Sequence, residues 1–592
     1  MFKIFRYLKP YVGWLLLALV LIVGQVFAEL TLPDLMSDII NNGLTALADE
    51  TTGEIVEQIA DIPYILEKGG IMLLLCLAAS AAGILLCYIS SKISMGFGRN
   101  LRSQIFSKVE SFSLREVDKF GTASLITRNT NDVTQLQNFV VMGVRILAMA
   151  PFMFGIGLYK MITQSTATAP VLYLSIPLIL ATIFTIGLIV SPLFKKMQKK
   201  VDHLTMVTRE NLTGVRVIRA FNKQQAQTEK FAKANKDVTK TTLKASRIMS
   251  IMMPAIQFVM NLSMVGIIYL AGKGIENNVG NVGAMMASMS YIMNIMMSLI
   301  LVTMVFVQIP RASASAQRIN EVLDTKPEIL CPASPKAPEA RLGKVEFRNV
   351  NFSYFDSDSP DFEYVLSNLN FTANPGETTA IIGATGSGKS TILNLIPRFY
   401  DPSSGEILVD GQNVREMDPA DLRARIGFVP QKALLFTGTI RENLQYGKAD
   451  ATDEEIMQAC DIAQATEFIE NTDARLDTEV AQGGNNFSGG QKQRLSIARA
   501  LVKRPEIYVF DDSFSALDFK TEANLQRALR EQVSDATVIV VAQRISSILN
   551  ADNILVVDEG KIVAQGKHRE LLDTCGVYRE IAESQLSEEE LQ

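Results

Sequence analysis

Residues 379–391 read Thr-Ala-Ile-Ile-Gly-Ala-Thr-Gly-Ser-Gly-Lys-Ser-Thr, an apolar run followed by a glycine-rich loop and a lysine. The apolar part predicts a buried strand, and the residues after the loop predict a helix. This is the pattern GxxxxGK[ST] in the strand–loop–helix context that phosphate binding requires, because glycines let backbone N–H groups surround phosphate oxygens. The predicted nucleotide-binding residues of this phosphate loop are Gly383, Ala384, Thr385, Gly386, Ser387, Gly388, Lys389, Ser390 and Thr391.

Two side chains of the phosphate loop and one distant acid have specific predicted roles. Lys389 would reach the β and γ phosphates, and the Ser390 hydroxyl would bind Mg²⁺. The segment Glu506-Ile-Tyr-Val-Phe-Asp511 is an apolar strand that ends in an acid, so Asp511 is placed to hold the same ion. Because two distant segments supply complementary parts of one site, we expect ATP and Mg²⁺ as cofactors.

Long apolar windows occupy the N-terminal half of the chain, which has 592 residues and 48% hydrophobic side chains. Each window is near the ~20 residues that a helix needs to cross a bilayer. Four of them contain no charged residue, whereas a buried helix of a soluble protein would normally show a polar face. The six predicted spans lie near residues 12–32, 70–89, 139–162, 169–193, 248–272 and 282–309.

The distribution of Lys and Arg predicts the orientation of these spans. Segments 1–11, 90–138 and 194–247 hold 3, 7 and 14 basic residues, whereas the alternate loops hold only Lys68 and Lys273. Cytoplasmic loops carry the basic excess, so both termini are expected in the cytoplasm of a multi-pass plasma-membrane protein.

The chain is expected to be multidomain, with an all-α six-helix membrane domain before an α/β ATP-binding domain. Basic residues every three positions near the N-terminus favour a short interfacial helix, with a plain positive flank as the alternative. The long basic segments predict cytosolic helix extensions that break near residues 116–122 and 214–222. The predicted parts are the interfacial helix 1–10, the membrane domain 11–325, a proline-rich linker 326–343, the ATP-binding domain 344–582 and a tail 583–592.

Charged and methionine side chains inside the spans allow two interpretations each. Arg145 and Lys160 lie within the third window, where snorkelling or a long helix is the simpler account and substrate contact the alternative. Half of the 24 methionines fall between residues 249 and 304. Such flexible side chains suit either ordinary helix packing or a wall that accepts varied lipophilic molecules.

The overall composition argues against several other classes of protein. The net charge of −5 is unlike that of a general nucleic-acid binder, so no nucleic-acid partner is expected. Five cysteines form no CxxC pair and only two histidines occur, so no zinc site is predicted.

Further motifs resemble the ATP-binding cassette (ABC) transporters and, over the whole chain, their exporter branch. Asn486-Phe-Ser-Gly-Gly-Gln491 is similar to the family signature LSGGQ, with Phe in place of Leu. The resemblance implies that Tyr354 stacks on adenine and that Gln431 touches Mg²⁺. It also implies that Ser515-Ala-Leu-Asp518 crosses between two cassettes.

The same resemblance implies a partner. In this family two cassettes face each other, and each ATP lies between the phosphate loop of one and the signature of the other. One chain here has one cassette and six spans, so a second half-transporter is expected, together with lipid bilayer and a small-molecule or lipid substrate. The residues that would serve the partner's ATP are Ser488, Gly489, Gly490 and Gln491.

Two positions depart from the family pattern at the residues expected to be catalytic, which are Asp512, Gln543 and Gln431. Asp512 stands where the family has Glu, so its carboxylate falls about one bond short of the attacking water. Gln543 stands where the family has His, and it can donate a hydrogen bond but carries no charge. A milder departure is Gln482, where many exporters have Glu.

These losses predict the degenerate-site subunit of a heterodimeric exporter, which binds Mg-ATP but hydrolyses it slowly. Its intact signature would complete the active site of the partner. The expected substrate is lipophilic or amphipathic, such as a drug, a lipid or a peptide. The alternatives are a homodimer with two slow sites and an ATP-gated regulator or channel.

Overall fold

The computed structural model describes residues 2–48, 55–164, 168–276, 281–355, 360 and 362–586. The chain forms two units, one made of Met1–Glu110 with Ala123–Thr325 and the other of Ser111–Thr122 with Lys326–Gln592. The predicted membrane domain therefore differs from the observed unit in one respect, because a short segment from within it belongs with the cassette. The last six residues of the predicted tail lie outside the described residues.

The membrane unit contains six helices long and apolar enough to cross a membrane within the part of the chain that the structure describes, which confirms the six-helix prediction. A 3₁₀ turn (Arg6–Tyr11) precedes the first span, and π turns (Arg128–Asp132 and Gly143–Leu147) interrupt the third. The helices through the end of this region are α1 (Phe2–Phe5), α2 (Val12–Asn42), α3 (Ile62–Glu110), α4 (Leu114–Phe120, part of the cassette unit), α5 (Thr122–Thr127), α6 (Val133–Met142), α7 (Ala148–Gln164), α8 (Ala169–Thr213), α9 (Val215–Ala220), α10 (Gln224–Glu276) and α11 (Val282–Asp324).

Several of these helices are far longer than a bilayer is thick. Helix α3 has 49 residues, about 74 Å at 1.5 Å per residue, against a hydrocarbon core of about 30 Å. The predicted helix extensions account for this excess. The chain leaves the helix at Ser111–Ser113 and at Gly121, on either side of α4, so most of the predicted break at 116–122 is helical. It also leaves the helix near Gly214 and Phe221, within the predicted break at 214–222. A two-stranded antiparallel hairpin, β1 (Leu44–Ala48) and β2 (Ile55–Ala60), joins the first two spans.

An ionic cluster joins three spans of the membrane unit. Lys160 of α7 and the hydroxyl of Tyr291 on α11 both donate hydrogen bonds to the carboxylate of Asp34 on α2. Tyr291 is fully buried, and the side chains of Lys160 and Asp34 are only 17% and 23% exposed. Neither interpretation of Lys160 from the sequence anticipated this pairing, because Asp34 lies two residues beyond the first apolar window.

The cassette unit contains a six-stranded sheet of order β14-β13-β5-β12-β11-β8 and a four-stranded antiparallel sheet of order β4-β3-β6-β7, among its described residues. In the larger sheet only the β13–β14 pair is antiparallel. The strands are β3 (Val345–Phe352), β4 (Leu366–Ala373), β5 (Thr378–Ile382), β6 (Ser404–Val409), β7 (Gln412–Asn413), β8 (Ile426–Val429), β9 (Gly438–Thr439), β10 (Glu479–Val480), β11 (Ile507–Asp511), β12 (Thr537–Val541), β13 (Asn553–Asp558) and β14 (Lys561–Gly566).

The larger sheet is buried on both faces, which explains its nearly continuous apolar strands. Successive side chains of a strand point to opposite faces, so Tyr508 and Phe510 enter one core while Ile507 and Val509 enter the other. This confirms the predicted α/β class. The helices of this unit are α12 (Lys389–Leu395), α13 (Pro419–Ala424), α14 (Ile440–Gln445), α15 (Asp453–Ile462), α16 (Thr466–Glu470), α17 (Gly489–Val502), α18 (Phe519–Gln532), α19 (His568–Thr574) and α20 (Gly576–Glu583).

Polar contacts attach helix α4 to the cassette unit. The Tyr400 hydroxyl donates to the Asp118 carboxylate at 3.0 Å, and Arg115 pairs with Glu328 at 2.9 Å. Buried Glu116 accepts from the backbone N–H of Ser113 at 2.7 Å and from that of Glu328 at 3.2 Å. The side chain of Glu116 therefore both caps α4 and holds the start of the predicted linker.

Replacing Glu116 with Ala should loosen α4 without unfolding the protein. A lost helix cap costs about 1 kcal/mol, so we expect the amides of Leu114–Phe120 to exchange with deuterium about fivefold faster in the full-length chain. The exposed neighbour Lys119 provides the control, since Lys119→Ala keeps the cap and should leave the exchange rate unchanged. Equal exchange in both variants would mean that Glu116 does not hold this helix.

Candidate nucleotide site

The order of the larger sheet brings the predicted site residues to one edge. Strands β8, β11, β12 and β5 are parallel neighbours, so their carboxyl ends lie side by side. The phosphate loop follows β5, Asp511 ends β11, Gln543 follows β12 and Gln431 follows β8. Ligands of open parallel sheets bind at this carboxyl edge, which is where four distant parts of the sequence converge.

The backbone of the phosphate loop requires glycine at two positions. Gly383 has φ +158°, and a Cβ there would lie 2.0 Å from the carbonyl oxygen of Val557. Gly388 has φ +98°, and its Cβ would lie 2.6 Å from the side chain of Leu366. Any other residue would displace the loop, because atoms cannot approach so closely.

The interior of the phosphate loop offers polar groups to a ligand. Ser387 is buried, and its hydroxyl has no hydrogen-bond partner among the described residues. Burying a polar group without a hydrogen-bond partner costs free energy. The position of this hydroxyl therefore fits a donor to a phosphate oxygen of a bound nucleotide. Lys389 donates to the carbonyl oxygens of Gly383 at 2.9 Å and Ala384 at 2.6 Å, and its partial burial lowers its pKa.

Ser390 and Asp511 form a pair of oxygen ligands beside the loop. The Ser390 hydroxyl donates to Asp511 Oδ1 at 2.8 Å. Burial raises the pKa of Asp511, and the nearby charge of Asp512 raises it further. A carboxylate in that environment would be stabilised by a cation, and hard oxygen donors are the ligands that Mg²⁺ prefers. The two residues therefore fit the predicted metal site.

Asp512 lies at the centre of the three residues predicted to be catalytic. Its Oδ2 accepts hydrogen bonds from Gln431 Nε2 at 3.0 Å and from Gln543 Nε2 at 2.6 Å. Its backbone has φ +46°, a left-handed conformation that Asp tolerates better than most residues. The structure thus joins both departures from the family pattern, Asp512 and Gln543, in one hydrogen-bonded cluster.

The hydroxyl of Tyr354, the residue predicted to stack on adenine, is within hydrogen-bond distance of the Thr391 hydroxyl, at 2.9 Å. The Tyr354 ring makes edge contacts with Phe352 at 4.8 Å and with Tyr400 at 5.3 Å, measured between ring centroids. Tyr354 is 37% exposed, whereas Thr391 is buried. The side chain of Thr391 therefore positions the tyrosine in this structure, a contact that the sequence pattern did not indicate.

The signature residues form an exposed helix start. Ser488 caps α17, because its hydroxyl accepts from the Gln491 N–H at 3.3 Å and its own N–H donates to Gln491 Oε1 at 2.8 Å. Gly489 is exposed, and a Cβ on Gly490 would lie 3.2 Å from the carbonyl oxygen of Ala516. In the described part of the chain, the hydrogen bonds of Ser488 stay within this turn and do not reach the phosphate loop.

A residue of the predicted tail also belongs to this region. Gln585 makes two hydrogen bonds with the backbone beside Gln543, at 3.0 Å and 2.8 Å. It lies beyond residue 582, where the predicted ATP-binding domain ends, and no motif marks it. Only the fold brings it to the site.

The chain is similar in sequence to known protein families and to individual proteins. It matches the description "ABC transporter transmembrane region" over residues 15–299 and "ABC transporter" over residues 366–515. An uncharacterized ABC transporter ATP-binding protein of Mycobacterium tuberculosis is 40% identical, with 98% of this chain and 97% of that protein covered. A fatty acid ABC transporter ATP-binding/permease protein of the same species is 35% identical, with 81% and 75% covered.

The solved structure of a bacterial Atm1-family ABC exporter with ATP bound superposes with a TM-score of 0.77 at 26% identity, and 99% of each chain is covered. The fold, the phosphate loop and these relatives agree with one another. The chain belongs to the ABC transporters and is an exporter half-transporter, in which an ATP-binding cassette couples ATP hydrolysis to transport by a multi-pass membrane domain.

Proposed function

We propose that this chain is the degenerate-site subunit of a heterodimeric exporter. The observation that carries the proposal is the cluster in which the carboxylate of Asp512 accepts from the side chains of Gln431 and Gln543. Asp512 is one methylene shorter than glutamate, and neither glutamine can carry a proton away or supply positive charge. The signature residues meanwhile retain the types that a partner's ATP requires.

Within its own site, the chain would bind ATP firmly and hydrolyse it slowly. The phosphate loop supplies backbone N–H groups and Lys389 to the phosphates, while Ser390 and Asp511 would hold Mg²⁺. The bound ion would neutralise phosphate charge. Asp512 would orient the attacking water from too far away, and a displacement of about 1 Å can cost 10²-fold in rate.

Exposed apolar surfaces on each unit support the requirement for a second chain. At the tip between α8 and α10, Val217 is 61% exposed and Phe221 is 71% exposed. On the cassette, Leu434, Phe436 and Tyr446 are 53%, 44% and 72% exposed. Large exposed apolar side chains that lie close together, as Phe436 and Tyr446 do with ring centroids 4.9 Å apart, are typical of protein contact sites, and a partner half-transporter would cover them.

A stripe of methionines supports a lipophilic substrate. Met286, Met293, Met297 and Met304 of α11 are 42–58% exposed, and their spacing of seven, four and seven residues places them on one helix face. Flexible thioether side chains accommodate greasy molecules of varied shape. One relative is named a fatty acid transporter, which agrees with a lipid or another amphipathic substrate. The similarity to a solved exporter favours transport out of the cell.

The decisive experiment compares ATP turnover of the full-length chain alone and coexpressed with a second half-transporter from the same organism. We expect the pair to be at least tenfold faster than the chain alone. In the pair, Gly490→Asp should remove most ATP turnover, because Gly490 belongs to the signature that completes the partner's active site. Lys389→Ala should remove less, because Lys389 serves this chain's own slow site. Equal loss from the two variants would contradict the asymmetric assignment.

The same proteins, alone and paired, also distinguish the proposed heterodimeric pump from a homodimer and from a gated channel. Vigorous turnover by the chain alone would favour the homodimer. Reconstituted vesicles distinguish a pump from a gated channel, since a pump accumulates a lipophilic dye against its gradient and a channel only dissipates that gradient.

A further inference from the structure

Gln585 holds the backbone from which Gln543 projects. Its Nε2 donates to the carbonyl oxygen of Gln543 at 3.0 Å, and its Oε1 accepts from the N–H of Ile545 at 2.8 Å. Gln585 follows helix α20, whose Tyr578 and Ala582 are fully buried. The helix is therefore anchored in the cassette core, and it presents the amide of Gln585 from a fixed position.

The same loop, residues 543–547, is also held by helix α18. Gln526 of α18 donates to the carbonyl oxygen of Ser547 at 3.1 Å, and Arg544 pairs with Glu522 at 3.4 Å. Ile545 is fully buried. The backbone that follows Gln543 is therefore held both by Gln585 and by α18.

We infer that Gln585 is a positioning residue for Gln543, and that through it the C-terminal segment helps the cassette to distinguish ATP from ADP. This rests on the proposed function and adds one step to it: the Gln543 amide, which stands where the family has His, donates a hydrogen bond to the γ-phosphate of bound ATP. The Gln543 side chain donates at present to Asp512 at 2.6 Å, so its reach depends on where its backbone is held.

The chemistry of the contact explains why an amide stands at position 585. The side chain must donate at one end and accept at the other, and glutamine does both without charge. Leucine could do neither. Glutamate could accept from the Ile545 N–H but would place a negative oxygen against the Gln543 carbonyl.

The test measures binding of ADP and of a non-hydrolysable ATP analogue to the full-length chain in nanodiscs, by displacement of a fluorescent nucleotide. We expect Gln585→Leu and Gln585→Glu to weaken affinity for the ATP analogue about fivefold, the effect of one lost hydrogen bond. Affinity for ADP should stay within twofold, because ADP has no γ-phosphate. The matched control is Glu583→Gln, at an exposed position near the end of the same helix, and it should change neither affinity.

Gln543→Leu shows whether Gln585 acts through Gln543. It should cause the same selective loss, and the double variant with Gln585→Leu should lose no more than either single variant. An equal loss of ATP and ADP affinity, or additive losses, would overturn the inference and leave Gln585 a structural residue. If Gln543→Leu is selective but neither Gln585 variant is, the inference fails while the proposed role of Gln543 stands. If Gln543→Leu is not selective, both fail.

Discussion

The double variant Asp512→Glu with Gln543→His should hydrolyse ATP about 100-fold faster at this chain's own site, because it restores the reach and charge that the site lacks. Glutamate extends the carboxylate by one methylene toward the attacking water. Histidine can carry positive charge near neutral pH, whereas Gln543 cannot. The measurement is single-turnover hydrolysis by the full-length chain paired with its partner half-transporter, whose own site is inactivated, with protein in excess over nucleotide so that product release does not limit the rate.

Variants at single positions show how much of the faster hydrolysis comes from each of the two substitutions. Asp512→Glu alone must accept a left-handed backbone at φ +46°, which glutamate tolerates less well than aspartate, so we expect an intermediate rate. Asp512→Asn keeps the size of the side chain and removes its charge, and it should slow the residual turnover. If the double variant is no faster than the natural chain, Asp512 and Gln543 are competent and the degenerate-site proposal is wrong.

The variant Lys160→Met should lower the free energy of unfolding of the membrane unit by about 3 kcal/mol. Removal of one partner from a buried ion pair leaves the other charge without compensation, and such changes cost about 3–5 kcal/mol. Here the carboxylate of Asp34 would remain between two apolar helices with only the Tyr291 hydroxyl as a donor in that ionic cluster. Unfolding by sodium dodecyl sulfate, followed by circular dichroism, measures the effect.

Two further variants show whether the loss belongs to the ion pair. Asp34→Asn combined with Lys160→Met removes the stranded charge, so stability should recover most of the loss. Lys273→Met removes another lysine near a predicted span end, one that lies 5.1 Å from the ring centre of Tyr269, and it should cost less than about 1 kcal/mol. Equal losses from Lys160→Met and Lys273→Met would show that the cluster adds nothing specific.

Local sequence patterns predicted the two parts of the fold well. Apolar windows of bilayer length predicted the six spans, because lipid imposes that composition regardless of the tertiary contacts. The α/β cassette followed from one strand–loop–helix motif, since a phosphate loop of that composition is formed by residues adjacent in the chain. The hairpin of β1 and β2 was missed, because its strands carry no strong alternation.

The sequence alone also predicted the composition of the nucleotide site, but not its internal contacts. Asp512 was recognised as a short replacement for glutamate, yet its hydrogen bonds to Gln431 and Gln543 depend on the order of the sheet. The attachment of α4 through Asp118 and Tyr400 joins residues 282 positions apart. No local pattern encodes such pairs.

By itself, the sequence determined the helices that can cross a membrane and the loop that can bind phosphate, because each depends on neighbouring residues and on the solvent that surrounds them. The tertiary structure alone decided that Asp34 neutralises Lys160 and that Gln585 holds the backbone of Gln543. These contacts depend on helix packing and strand order, and they join residues separated by 126 and 42 positions in the sequence. These two contacts form only when the distant parts of the chain have folded together.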